Sequence, residues 1–224
     1  MRPGEVILEV GCGSGVLVRW LARQTGGANW ILGVDINRYL LREAVALARR
    51  EGLADAITFQ EGNAEALPLP DNSVDVALAC TVLEEGDADR MLAEMVRVTR
   101  SGGRVAVIVR SIDVPWVVNL PLRAALKTKV EAPGRVGSGA AARGCADASI
   151  YRRFHAAGLT QPTLFPQFEA ITKAEPRFAG FQQQHLSTLS PEEAHEWRSA
   201  VAQAEADGTF FMAQPLHCAV GTKP

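Results

Sequence analysis

The chain has 224 residues, enough for one domain with a sizeable core, and its 23 Lys and Arg against 25 Asp and Glu give a formal charge of −2, which excludes the basic footprint of a nucleic-acid binder. Cys12, Cys80, Cys145 and Cys218 are scattered with no Cys-x-x-Cys pair, which argues against a zinc site or disulfide framework and for a reducing compartment. No apolar run approaches the ~18 residues of a membrane span, and Met-Arg-Pro-Gly-Glu at the start lacks a signal-peptide core, so a cytoplasmic location is expected.

Val6, Ile7, Leu8 and Val10 form a short apolar run with β-branched character, as in a buried parallel strand. Glu9 puts a charge near its end, and Gly11, Gly13 and Gly15 then allow a sharp turn and close approach to a ligand. Ser14 is the expected cap of a helix whose apolar face is Val16, Leu17, Trp20 and Leu21. Gly26-Gly27 ends it, and Trp-Ile-Leu-Gly-Val at 30–34 predicts a second strand stopping at Asp35. A carboxylate there, 20 residues past Gly15, suits a ribose diol. Asn37 caps the next helix, Gly52 closes it, and Ile57-Thr58-Phe59 predicts a third strand.

The stretch 62–75 carries two prolines and an Asp-Asn-Ser turn, and residues 74–80 predict strand four. A helix is expected from about Asp87, with Met91, Leu92, Met95 and Val96 inward, and Ser101-Gly102-Gly103 turns into strand five at 104–109. Strands and helices alternate as in a parallel sheet with helices on both faces. The stretch 111–146 breaks that rhythm with prolines and a Gly-, Ala- and Arg-rich part at 134–144, and is expected to cover a substrate. Asp147 caps a helix carrying Ile150, Phe154 and Ala157, Phe165 to Ile171 predicts a sixth strand, and Ser190-Pro191-Glu192-Glu193 starts a last helix.

A dinucleotide loop would read Gly-x-Gly-x-x-Gly, whereas position 16 here is Val and Glu9 would repel a pyrophosphate. Glu9-Val10-Gly11-Cys12-Gly13-Ser14-Gly15 instead resembles the first motif of class I S-adenosylmethionine-dependent methyltransferases. Gly62-Asn63-Ala64-Glu65-Ala66-Leu67-Pro68-Leu69-Pro70-Asp71-Asn72-Ser73-Val74-Asp75 resembles the adenine-binding loop of the small-molecule members, with Asn63 where an acid is usual. Asn accepts through its carbonyl oxygen, so adenine recognition is retained. Val82-Leu83-Glu84-Glu85 and the run 97–103 resemble further family motifs, with Glu85 where His is common. More weakly, 207–211 and 217–223 resemble its closing strand pair.

The resemblance, strongest to the ubiquinone/menaquinone-biosynthesis-like group, implies an α/β fold with a doubly wound, mostly parallel seven-stranded sheet. It implies a single methyltransferase domain over 1–224, with 111–146 as a substrate-covering insertion. The cofactor the resemblance implies is S-adenosyl-L-methionine, with Glu9, Gly11, Cys12, Gly13, Gly15 and the Cys80 backbone expected at its amino-acid end, Asp35 at the ribose, and Ile36, Asn63 and Ala64 at the adenine. Candidate general bases are Asp113, Glu84 and His155, with Asp113 alternatively capping a short helix at Val114, Glu84 capping or bridging, and His155 packed or at the surface. Trp116 lines a substrate pocket or sits in the core. No metal-ligand spacing is present, and the motifs of nucleic-acid amino-methylating and arsenite-methylating relatives are missing, which leaves a small, apolar or aromatic substrate. Five residues precede the first strand where the family usually has helices, so chain upstream, a more open pocket or a partner subunit, as in a homodimer, is expected to account for it. The competing functions are a non-catalytic S-adenosylmethionine-binding protein or subunit and, further off, a nicotinamide-dependent oxidoreductase.

Overall fold

The computed structural model describes residues 1–134, 140–174 and 178–224, which contain nine strands and seven helices. They form two compact units: the first holds 1–109, 140–165 and 218–224, the second the described parts of 110–139 and 166–217.

In the first unit, β1 (Val6–Val10), β2 (Trp30–Asp35), β3 (Ile57–Glu61), β4 (Val74–Cys80) and β5 (Thr99–Arg110) pair in parallel in the order β3-β2-β1-β4-β5. Successive residues point to opposite faces, so Ile7, Ile31, Val76 and Leu78 pack with Val18, Leu21, Leu41 and Ala48. Those four come from α1 (Val16–Gln24) and α2 (Arg38–Arg50). Leu8, Val34, Ala77 and Val107 join a second cluster with Leu92 and Met95 of α3 (Ala88–Val98) and Ile150 and Phe154 of α5 (Ser149–Ala156). The central strands β1, β2 and β4 are buried on both sides, which is why they read as apolar runs.

Local chemistry sets the helix starts. The Asn37 side chain accepts from the amides of Tyr39 at 3.0 Å and Leu40 at 3.3 Å, and Asp87 accepts from Arg90 at 3.2 Å. Ser14 does not cap α1. The cap is Gly15 at φ 73°, a left-handed conformation that leaves no side chain to do the work. Asp147 holds the start of α5 one residue early, its carboxylate accepting from Ser149 at 2.8 Å while Ala148 is the cap.

Strand five is longer than expected. Ser101-Gly102-Gly103 stays within it as an irregularity, because the pairing jumps from Val74↔Thr99 to Val76↔Arg104 and Gly102 takes a φ of 74°. The expected strand at 165–171 is β8 (Gln167–Ile171) in the second unit, and a further strand not expected from the sequence, β7 (Thr160–Leu164), precedes it in the first unit. Pro166 lies between them and cannot donate to a ladder. The expected closing pair is one strand, β9 (Met212–Thr222), because 207–211 form the turn that precedes it. Its end at 219–222 pairs antiparallel with β7, and 212–216 with β8.

The stretch 111–146 divides between the units. Its first part holds β6 (Val117–Val118) and α4 (Ala124–Glu131), and no helix starts at Val114, so the expected cap role of Asp113 is corrected. Trp116 is a core residue: it meets Phe181 and His185 edge-on at 5.1 and 5.9 Å between ring centres. These rings come from the described part of α6 (Phe178–Leu186) and pack with Trp197 of α7 (Pro191–Ala206). Residues 135–139 of the Gly-rich stretch lie outside the described residues. Residues 140–146 are fastened to the loop after β4, with Ala141 donating to the Glu84 carbonyl at 2.7 Å and Cys145 to Leu83 at 3.0 Å.

Candidate active site

A cavity of about 620 Å³ opens in the first unit at the carboxyl ends of β1, β2 and β4, a volume suited to a ligand pocket. The strand order reverses here, because β1 lies between β2 and β4, so the loops after β1 and β4 part and leave a crevice. Gly11, Asp35, Ile36, Asn63, Ala64 and Cys80 line it, which brings six of the expected residues together. Asn37, Leu40, Glu65, Thr81, Val82, Glu85 and Met91 also line it and are not among the cofactor-site residues expected from the sequence. Their common signal is position, immediately after a strand end or at the start of the following helix.

The glycine loop is built for close approach. Gly11 has φ 71°, and a side chain there would overlap Val82. At Gly15, φ is 73° and a Cβ would lie 2.9 Å from the Phe59 ring. Asp35 ties the loop to the next strand: one carboxylate oxygen accepts from the Gly13 amide at 2.7 Å, the other from Asn37 at 2.7 Å. Each oxygen keeps a further lone pair, and Asp35 lines the cavity. Ile36 stands at the rim with 70% of its surface exposed, an apolar face that a planar ring can cover.

Asn63 is partly committed. Its side-chain oxygen accepts from the Glu65 amide at 2.8 Å, leaving one lone pair and two N–H donors. Cys12 is buried beneath the loop, and burial, then the charges of Glu9 and Asp35, push its thiol up, so it stays protonated. Glu9 stands opposite Gly33 on β2 and Leu78 on β4, only 4% exposed. One of its carboxyl oxygens, Oε2, is buried with no hydrogen-bond partner. Burial pushes its pKa up to about 8, against a pull from the Val18 backbone and with a small push from Asp35.

The candidate bases are not brought together. Glu84 is buried on the chain between β4 and α3, and His155 lies exposed on α5. Asp113 belongs to the second unit, where it accepts from the Ser111 hydroxyl at 2.7 Å and stands 2.7 Å from Nε2 of His217. His217, on β9 and 5% exposed, was missed from the sequence because 104 positions separate it from Asp113. Among the described residues no group of three His, Cys, Asp or Glu is arranged to hold a metal ion.

Residues 7–103 match the family described as a methyltransferase domain. Over 108 residues the chain is 39% identical to the methyltransferase GfsG of Streptomyces halstedii, covering 48% of this chain and 38% of that protein. It is 38% identical over 109 residues to the ubiquinone/menaquinone biosynthesis C-methyltransferase UbiE of Hahella chejuensis, covering 48% of this chain and 44% of that one. The chain thus matches about two fifths of the length of these relatives. The crystal structure of YcgJ from Bacillus subtilis superposes with a TM-score of 0.64 at 18% identity, over 99% of this chain and 93% of that one, which shows a shared fold. The matched stretch contains every cofactor-site residue expected from the sequence, Glu9 to Cys80.

Proposed function

We propose that the protein transfers a methyl group from S-adenosylmethionine to a small organic molecule. The observation that carries this reading is the cavity that Gly11 of the glycine loop, Asp35, Asn63, Ala64 and Cys80 line together. The residues fit the cofactor: Gly11 lines the cavity where a side chain would crowd Val82, and the unpartnered Glu9 oxygen suits a nearby cation. S-Adenosylmethionine, when bound, supplies the methyl group on a sulfonium whose departure leaves a neutral thioether. The chain's own residues bind and orient. The Gly11–Gly15 loop with Cys12, the Cys80 backbone and Glu9 take the amino-acid end, Asp35 the ribose hydroxyls, and Ile36, Asn63 and Ala64 the adenine. Holding the donor in one geometry supplies much of the rate in an in-line displacement. Full-length, folded protein is expected to bind S-adenosylhomocysteine tighter than about 100 μM by calorimetry. No binding at that level would sink the reading.

The same reading takes the sheet as doubly wound; against the seven strands expected, the described residues carry nine. It takes 1–224 as one methyltransferase domain with 111–146 as a substrate-covering insertion. The substrate is apolar or aromatic, the partners include no nucleic acid, the chain works as a homodimer, and the location is cytoplasmic. Supporting these are the near-neutral charge, the scattered cysteines and the fact that, among the described residues, no helix is long and apolar enough to cross a membrane.

For an oxygen nucleophile the proton acceptor we favour is Asp113, ahead of Glu84 and His155, because a side chain oriented by Ser111 and His217 is preorganised. Asp113→Asn keeps an oxygen for Ser111 but cannot take a proton. Turnover is expected to fall by about 10²-fold or more with the melting temperature little changed. Activity within about threefold of the original would make Asp113 a structural residue and send the search to Glu84 or His155.

A further inference from the structure

The glycine loop covers a carboxyl that its own fold leaves unsatisfied. Glu9 lies two residues before Gly11, which lines the cavity, and its Oε2 is buried without a partner. A buried carboxylate needs a cation or donors, and without them it holds its proton. The titratable groups acting on Glu9 are Asp35 at the end of β2 and Cys12 in the loop. Asp35 is acidic, and a Cys12 thiol held protonated by burial brings no positive charge. The Val18 backbone, from α1, is the one favourable influence on the charged form. β2 and β4 present Gly33 and Leu78 opposite Glu9, neither of which can carry a charge.

We propose that the cationic amino-acid end of the cofactor binds with release of a proton from Glu9. This rests on the cofactor reading above. Arg19 of α1 donates to the Ser14 carbonyl of the loop at 2.5 Å, but its charge is paired with Glu51 at 3.0 Å. The ligand's ammonium would bring an unpaired cation to Glu9, and an opposite charge within about 4–6 Å favours the ionised carboxyl. The proton goes to the buffer, and the carboxylate and ammonium remain as a pair. Glu9, with a pKa of about 8, is about nine-tenths protonated at pH 7, so close to one proton leaves per ligand bound. Affinity then rises as pH rises toward 8, by at most tenfold per pH unit.

The test is calorimetry of S-adenosylhomocysteine binding at pH 6 and 7, where the ligand's amino group stays charged, in two buffers of different ionisation enthalpy. We expect about 0.8–1 proton released by the wild-type chain at pH 7, an affinity several-fold weaker at pH 6, and neither effect in Glu9→Gln. Binding with less than about 0.2 proton released, or release that persists in Glu9→Gln, would overturn the proposal. An infrared difference spectrum of the wild-type chain, losing a protonated-carboxyl band on ligand addition, checks the same step without any variant. Failure of the wild-type chain to bind at all is a different result, and it overturns the cofactor reading.

Discussion

Asp35→Ala is expected to weaken S-adenosylhomocysteine binding by about 1.5–3 kcal/mol, roughly 10- to 150-fold. The carboxylate has two jobs. It accepts from the Gly13 and Asn37 amides at 2.7 Å each, which sets the shape of the glycine loop, and it lines the cavity where the ribose hydroxyls would donate. Alanine removes both. Asp35 is only half-buried, so water can take over the two amides, and the stability loss should stay near 1–2 kcal/mol. Asp35→Asn separates the jobs, because its oxygen can keep one amide while its NH2 group opposes the other. Calorimetry and a melting curve on both variants distinguish the roles. A lowered melting temperature with unchanged affinity would make Asp35 a loop anchor and place the ribose elsewhere.

The cofactor corner was legible because its signals are local. A buried strand, a glycine loop and an Asn cap each occupy fewer than about ten consecutive residues, and period and φ preference speak at that range. The chain also ends its strands where apolar runs stop, so Asp35 and Cys80 were placed correctly at strand ends. Interactions that close over distance were not legible. Asp35 reaching the Gly13 amide depends on β1 and β2 being paired in register, which no window around Asp35 reveals. The Asp113–His217 contact depends on β9 returning to the end of β5, and Pro215 accepting from the Ser111 amide fixes that return. Trp116 shows the same limit from the apolar side. Its prolines and neighbours read as a loop over a substrate, yet its surface is buried by Phe181 and His185, far along the chain. Sequence spacing cannot tell a pocket wall from a core when the partners are that remote.

The other large effect concerns stability and pH. Glu9→Gln is expected to stabilise the protein increasingly as pH rises. An unfolded Glu has its ordinary value of 4.5, whereas burial raises the folded value to about 8. Between those values the folded state keeps a proton that the unfolded state has lost, so rising pH favours unfolding. The contribution of this group is fully present below about 4.5, declines through the window and is gone above about 8, where the buried side chain must ionise. Glutamine matches the shape of the protonated acid and never ionises, so it escapes the decline. The advantage of the variant should be small at pH 5 and reach on the order of 3–5 kcal/mol at pH 8.5. For a chain of this size that is on the order of 10 °C in melting temperature. Scanning calorimetry of both proteins at pH 5 and 8.5, without cofactor, reads the difference directly. Equal gaps between the two proteins at both pH values would mean that Glu9 is already ionised in the folded chain.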